Sequence, residues 1–550
     1  MSDTRYAISD TRYATGEALV LLTLLALATV IRIPSLWEPI GSDQAIGAVI
    51  GEALRRGWVL YRDIWDQHTP LVYYIHAAGQ VLFGRTTRTV YLLDLLWTLA
   101  SALALYGLGR RWQGRQVALL ATGLYVLFGN SVAFNQDTVG TWTMRVKAEG
   151  LMTLPLALGF QAVLRAMDPG ERWPSLRWGL AGLALGFAVA LKPVAGLFLL
   201  LVWPVLLVAT GRRSGNRLAL ATQHSLWLGG GFLLAQLVYL IPTAVQGTLR
   251  DFWQAVVLYN LGPYSEIGQS RARFLEVSVL IGKETFGLWL LAAAGVLWML
   301  WRERSLGNWL IVGWGLARGL ILVIQNKFYS YQYLPLLPPL CLLAAYGVVY
   351  LWHWAGRWRV GGLPLPLGEG RGEGLVAWAW RVFLMFLLLA NVAQFVRTNG
   401  LYYSRFLQFA SGSMDADAFY AAFNTYPRHY SYPADKAVAD WVRERTRPDE
   451  PLGTLGGYGA TPIWLAERPP AARYVFTYPF FHQQVADDPL IQEMRAELLA
   501  DLQASRPPYI VLFDPLEEFK PFGPLYAWLT ANYELEREFA HGRILYRRRR

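Results

Sequence analysis

Asp43, Asp137 and Glu149 supply carboxylates, and Lys192, Arg318, Lys327 and His68 supply cations or hydrogen-bond donors, each beside or inside a long apolar run. An ionisable group at membrane depth is costly and by default marks a functional site. A carboxylate can take the proton of an attacking hydroxyl. Lysine, arginine or histidine can offset the charge that builds on a departing phosphate. The set therefore suits group transfer from a phosphate-linked amphiphile. In "QNKFYSYQYLPLLPPLCLLAAYG", Tyr331 and Tyr333 add hydroxyls next to Lys327 that can hold a substrate.

Each of these residues also has a plainer reading. Asp43 suits a helix cap, Glu149 complements a helix N-terminus, and Asp137 in "FNQDTVGTW" suits a turn. Lys192 can snorkel beside the break made by Pro193. Arg318 can pair with another buried polar group. The tyrosines can belong to an interfacial aromatic belt, and His68 lies in an aromatic-rich loop that suits a structural role.

The elements that must hold these groups are membrane helices. Of 550 residues, 54% are hydrophobic and only 16% charged, against roughly 25% charged in a soluble domain. A span needs about 20 apolar residues, and such runs recur near 17–36, 91–109, 117–131, 148–166, 177–191, 194–210, 225–243, 281–301, 307–325, 334–353 and 376–394. The expected fold class is an α-helical polytopic membrane protein of about eleven transmembrane helices with a C-terminal α/β extracytoplasmic domain. Its expected divisions are a cytoplasmic N-terminal tail over 1–16, a transmembrane catalytic domain over 17–394 with a long first outer loop over 37–90, and the extracytoplasmic domain over 395–550.

The net charge of +11 reads as topology, because arginines such as Arg110, Arg111, Arg165, Arg212, Arg302 and Arg304 fall in alternate short loops. That is the positive-inside pattern, and it places the 37–90 loop, the 132–147 segment, the 244–280 loop and the tail on the outer face. The basic residues form no patch with interleaved aromatics, so no nucleic-acid partner is expected. The lone Cys341 excludes a disulfide framework or a cysteine metal site. No cleavage site follows the first apolar run, so a removable signal peptide is not expected.

Within the first outer loop, "DQAIGAVIGEALRRG" has helical apolar spacing with Gly57 as its stop, so short helices lying along the membrane surface are expected and Asp43 falls near an N-cap. The tandem repeat "SDTRYAISDTRYAT" and the loop "GGLPLPLGEGRGEG" read as mobile insertions without chemistry. In the tail, "DKAVADWVRERT", "IQEMRAELLADLQAS" and "AWLTANYELEREF" read as helices, "PLGTLGG", "ARYVFTY" and "PYIVLF" as strands, and the end "RILYRRRR" as part of a hairpin-like pair. Their alternation favours a small, partly parallel sheet.

Several of these motifs come in a familiar order. An Arg-x-Pro exit from the first span at Arg32, the acidic Asp43, "RRGWVLYRDIWDQHTPLVYYIHAAGQVLFG", "ALKPVAGL" and "FYSYQYLPLLPPLCLLAAYG" together resemble bacterial polyprenyl-phosphate-sugar glycosyltransferases of the glycosyltransferase C superfamily, in the protein O-mannosyltransferase and aminoarabinose transferase group. The resemblance covers residues 17–355 and extends loosely into the tail. It implies an inverting membrane enzyme that moves a sugar from a polyprenyl-phosphate donor to an acceptor hydroxyl at the outer face of the cytoplasmic membrane. It implies catalytic roles for Asp43 and Glu149, donor-phosphate contacts from Lys192, Arg318, Lys327 and His68, and substrate contacts from Tyr331, Tyr333 and Asp137.

Two departures stand out. Where members often carry an Asp-Glu pair this chain has Asp43-Gln44, and where others carry Lys-Pro-Pro it has His68-Thr69-Pro70. Some relatives use a divalent cation, but no ligand set in this sequence demands a metal. The implied partners are the lipid-linked donor, an acceptor that is glycan, lipid or protein, and membrane lipids. The rival classes are a lipid-linked oligosaccharide flippase or solute transporter, against which stands the lack of an internal repeat, and a non-catalytic scaffold or receptor that binds through its tail.

Overall fold

The protein is described here by a computed structural model covering residues 3–131, 146–212, 215–268, 270–355, 371–423 and 430–549. Its membrane part is a bundle of long helices: α1 (Asp3–Arg32), α2 (Ser42–Arg55), α3 (Pro70–Phe83), α4 (Thr87–Gln113), α5 (Arg115–Phe128), α6 (Ala148–Met167), α7 (Pro174–Leu191), α8 (Leu197–Gly211), α9 (Arg217–Val245), α10 (Arg271–Glu284), α11 (Phe286–Arg302), α12 (Leu306–Gln325), α13 (Leu337–Ala355) and α14 (Arg371–Ala410). Among the described residues, nine helical stretches are long and apolar enough to cross a membrane. The chain is a multi-pass membrane protein.

The expected eleven spans are met differently at two places. α10 and α11 meet at an 88° bend, so the run near 281–301 belongs to a bent pair, and the number of crossings reaches ten only when that pair is counted as one span. α5 is apolar but has only 14 residues, too few to count by length alone. The break at Lys192-Pro193 appears as expected. α7 ends at Leu191, a short 3-10 turn covers Pro193–Gly196, and α8 begins at Leu197.

Local chemistry fixes several helix starts. The side chains of Thr86, Asn216, Ser270 and Ser305 each accept a backbone N–H from the first turn of the helix they precede, which satisfies a donor the helix itself cannot. Gly57, at φ +88, stops α2 in a backbone conformation costly for any other residue. α1 begins at Asp3, so the repeat read as a mobile insertion is helical instead. Most of the "GGLPLPLGEGRGEG" loop lies outside the described residues.

The tail folds around a four-stranded sheet, β1 (Leu452–Leu455), β2 (Tyr509–Leu512), β3 (Tyr533–Phe539) and β4 (Arg543–Arg548), in the order β1-β2-β4-β3. β1 and β2 are parallel and the other pairings antiparallel. β1 and β2 are buried at every position, as strands covered on both faces should be. Helices Tyr432–Arg445 and Pro489–Ser505 flank them as expected.

Two assignments in the tail are corrected. "ARYVFTY" is not a strand, because its only bridge joins Tyr474 to Trp65 of the 37–90 loop. "AWLTANYELEREF" is helical only to Asn532. From Tyr533 to Phe539 the chain pairs antiparallel with β4, with a register shift between Leu535 and Arg537, so β3 takes over.

The tail is tied to the membrane part by specific bonds. Trp65 N–H donates to the Arg473 carbonyl at 2.9 Å, and the Tyr430 hydroxyl donates to the Ile40 carbonyl at 2.8 Å. The Arg85 guanidinium lies 3.9 Å over the Trp464 ring while its Nε donates to Glu52 at 2.6 Å. Within the tail, Asp435 and Arg543 form a fully buried ion pair at 2.7 Å.

Candidate active site

α2 delivers Asp43. The chain leaves α1 through Pro34 in a 3-10 turn and restarts as a helix after Gly41, with Asp43 in the first turn. The cap bond at this start comes from Gln44, whose Oε1 accepts the Gly41 N–H at 2.7 Å. Asp43 is thereby spared as a cap, and its carboxylate forms an ion pair with Lys147. Lys147 immediately precedes α6, and its ammonium lies 3.6 Å over the ring of Tyr331. Three distant segments therefore meet at one point.

Glu149, two residues further on and buried, pairs with Lys192 at the α7 break. Arg318 on α12 is fully buried and lies within electrostatic reach of Glu149. One of its terminal nitrogens donates to the Gln332 carbonyl, whereas its Nε and Nη1 have no hydrogen-bond partner. Buried guanidinium donors normally find acceptors. Unpaired ones beside two lysines suit an anion.

Tyr331 stacks on Tyr329 at 5.5 Å and feels the charges of both Asp43 and Glu149. The Tyr333 hydroxyl meets that of Ser278 at 2.7 Å. Lys327 sits between two residues of positive φ, Asn326 and Phe328, and this strained turn bends the chain back towards the bundle. Its ammonium donates to the carbonyls of Tyr264 at 2.5 Å and Ile267 at 2.8 Å and lies 4.0 Å over the Tyr264 ring. Burial pushes its pKa down to about 8.

His68 belongs to a neighbouring group. Its Nδ1 is 3.0 Å from the carboxylate of Asp66, while the ring is 40% exposed. Asp66 is buried and also accepts from the Tyr73 hydroxyl and, at 2.8 Å, from the Gln67 N–H. Burial alone would raise its pKa, but His68 and these donors hold it below the ordinary carboxylate value. Tyr73 and Tyr264 each feel both Asp66 and Asp43, so the two groups adjoin.

The structure thus gathers Asp43, Glu149, Lys192, Arg318 and Tyr331 in one cluster, with Lys327, Tyr333 and His68 at its edges. Asp137 lies outside the described residues. Lys147 and Asp66 were not singled out from the sequence. Lys147 stands two residues before Glu149 and Asp66 two before His68, so proximity to an acid or base already flagged is the signal that would have found them.

The carboxylates Asp43 and Glu149 are each paired with an ammonium. Among the described residues no three His, Cys, Asp or Glu side chains gather as a metal site.

The helices carrying the cluster present it at one end of the bundle: Glu149 begins α6, Lys192 follows α7, and Lys327 follows α12. Arg110, Arg111, Arg165 and Arg302 lie at the other ends of their helices. From Tyr333 a groove with about 910 Å³ of open space runs along α10, α11 and α12, walled by Phe274, Ile281, Phe286, Trp289 and Leu322.

A family model described as dolichyl-phosphate-mannose-protein mannosyltransferase matches residues 67–253. Among solved structures, ArnT from Cupriavidus metallidurans bound to undecaprenyl phosphate is similar over 98% of this chain and 98% of its own, at 15% identity and a TM-score of 0.58. The apo state of that protein is similar over 97% and 98%, at 16% identity and 0.59. An oligosaccharyltransferase from Archaeoglobus fulgidus tethered to an acceptor peptide is similar over 97% of this chain and 74% of its own, at 11% identity and 0.53. No curated protein matches the sequence. The chain has the glycosyltransferase C fold.

Proposed function

We propose that the protein is an inverting glycosyltransferase that moves a sugar from a polyprenyl-phosphate donor to an acceptor hydroxyl at the outer face of the cytoplasmic membrane. The observation that carries this reading is the convergence of Asp43, Lys147, Glu149, Lys192, Arg318 and Tyr331, from separate parts of the chain, at the end of the bundle away from the arginines. Arginine-rich helix ends favour the cytoplasmic side by the positive-inside rule, which supports an outer-face position for the cluster and the tail.

The donor phosphate would lie against Lys147, Lys192 and the unpaired nitrogens of Arg318, with Lys327 and His68 at its margin. Its polyprenyl chain would follow the apolar groove that starts at Tyr333. Binding of the phosphate competes for Lys147, which turns from Asp43 towards the new anion. Asp43 then takes the proton of the acceptor hydroxyl as its oxygen attacks the anomeric carbon. The bond from that carbon to the phosphate oxygen breaks, and polyprenyl phosphate leaves with the electron pair, its charge met by the lysines and Arg318. One displacement inverts the anomeric centre. Glu149 holds Lys192 in place.

That ArnT is bound to undecaprenyl phosphate in a structure of the same fold supports a lipid-linked donor for this chain. The test is release of free polyprenyl phosphate from a labelled lipid-linked sugar by purified protein in liposomes. A flippase or transporter would move the labelled lipid without cleaving it.

A further inference from the structure

Beside the cluster, and separate from the lipid groove, is a polar cleft at the seam between the first outer loop and the tail. It is a small cleft of about 100 Å³ on the measure that gives the lipid groove 910 Å³, and its walls include Trp65, Asp251, Gln254, Tyr259, Tyr474 and Arg473. The Trp65 ring contacts Tyr259 at 5.0 Å and Tyr474 at 5.4 Å. The backbone bridge from Trp65 to the Arg473–Tyr474 segment fixes the cleft's shape. Tyr259 is buried, and its hydroxyl has no hydrogen-bond partner.

The segment that forms one wall is unusual. Gln254–Leu258 is a π-helical turn, a rare geometry that occurs mostly at functional sites. It lies between Asp251 and Tyr259. Among the described residues the Asp251 carboxylate makes no hydrogen bond or ion pair, whereas both guanidinium groups on the walls are matched, Arg62 by Asp63 at 3.1 Å and Arg473 by Asp501 at 2.9 Å and Glu497 at 3.4 Å. The cleft therefore offers a carboxylate without a hydrogen bond, an amide and aromatic walls, with both guanidinium groups already matched. A free anion needs an unmatched cation, and a greasy ligand needs an apolar floor. A pyranose wants a carboxylate or amide for paired hydroxyls and aromatic faces for its C–H surface.

We infer that this cleft seats a neutral sugar ring of the acceptor, which makes the acceptor a glycan. The inference rests on the transferase reading, since Trp65 adjoins Asp66 and Tyr61, on the cleft wall, donates its hydroxyl to the His68 carbonyl at 2.7 Å, placing a bound ring next to the reacting end of the donor.

The experiment uses purified full-length protein in detergent and saturation-transfer NMR with methyl pyranosides of glucose, mannose, galactose and N-acetylglucosamine, beside a parallel binding assay with undecaprenyl phosphate. Saturation transfer to at least one pyranoside is expected, with affinity lowered roughly tenfold in Asp251→Ala. Met494→Trp, which enlarges a buried side chain lining the cleft, should abolish it. Undecaprenyl phosphate binding without transfer to any pyranoside, or transfer unchanged in both variants, overturns the glycan site and leaves the transferase reading standing. Binding of an acceptor peptide lost in the same two variants also overturns it. Failure to bind undecaprenyl phosphate strikes the transferase reading itself.

Discussion

Asp43 and Lys147 form an ion pair although 104 positions apart in the chain, one in the first turn of α2 and the other at the mouth of α6. The pair divides the two tasks of the proposed reaction between a base and an anion ligand. Asp43→Asn should lower kcat for transfer by about 10²–10⁴ with little change in donor KM, the range expected of a lost general base. Lys147→Met should instead raise donor KM roughly ten- to hundredfold, since a charged contact to phosphate is lost. Steady-state kinetics with a defined lipid-linked donor separate the two. Equal loss of kcat in both variants would mean that the pair acts as one structural unit.

Glu149 and Lys192 are a buried pair of another kind, with side-chain exposures of 3% and 17%. Removing one member leaves the other charge stranded, which costs about 3–5 kcal/mol, whereas replacing both by apolar groups is often neutral. Glu149→Gln should therefore unfold at a clearly lower temperature. Glu149→Leu combined with Lys192→Met should regain most of the loss while remaining inactive. Thermal unfolding followed by tryptophan fluorescence reports both. If the double variant melts no higher than the single one, Lys192 is not held by Glu149.

How much of this was visible beforehand follows from the physics of each feature. Apolar runs are local, so the bundle and the break at Lys192-Pro193 were legible. Charge at a membrane is costly, so Glu149, Lys192 and Arg318 stood out one by one. Pairing was not legible, because the partner of Asp43 is chosen by how α2 and α6 come together. Lys147 carried no mark of its own in a loop taken for a connection. The 88° bend between α10 and α11 was hidden because it falls inside the run near 281–301, which reads as one continuous span. In the tail, Tyr533–Phe539 follows a helix without a breaking residue, and only pairing with β4 makes it a strand.

The α7–α9 crossing is set by backbone contact. A Cβ added at Gly182 would collide with the Leu228 carbonyl, and one at Gly231 with the Gly179 carbonyl, whereas Gly229 and Gly230 have nothing within 4 Å. Small residues at such crossings let helices approach closely. Gly231→Val should abolish stable folding, while Gly230→Ala should be tolerated or gain up to about 1 kcal/mol through helix propensity. Yield of monodisperse protein and its melting temperature decide the matter. Equal behaviour of the two variants would place the crossing elsewhere.

Lys327 gives the site a pH dependence whose sign differs between binding and stability. Burial lowers its pKa to about 8, against an ordinary value near 10.4. The ammonium that attracts phosphate is therefore present below about pH 8 and lost above it, so donor affinity should fall as pH rises through 8. Stability runs the other way. Between about 8 and 10.4 the unfolded chain holds a proton at this lysine that the folded one does not, so this group's contribution to folding grows with pH over that window. Lys327→Arg keeps the charge throughout and should move the fall in affinity to higher pH. Undecaprenyl phosphate binding measured from pH 6.5 to 9.5, alongside melting temperatures, tests both signs at once, and an affinity profile unaltered in Lys327→Arg would remove Lys327 from the phosphate site.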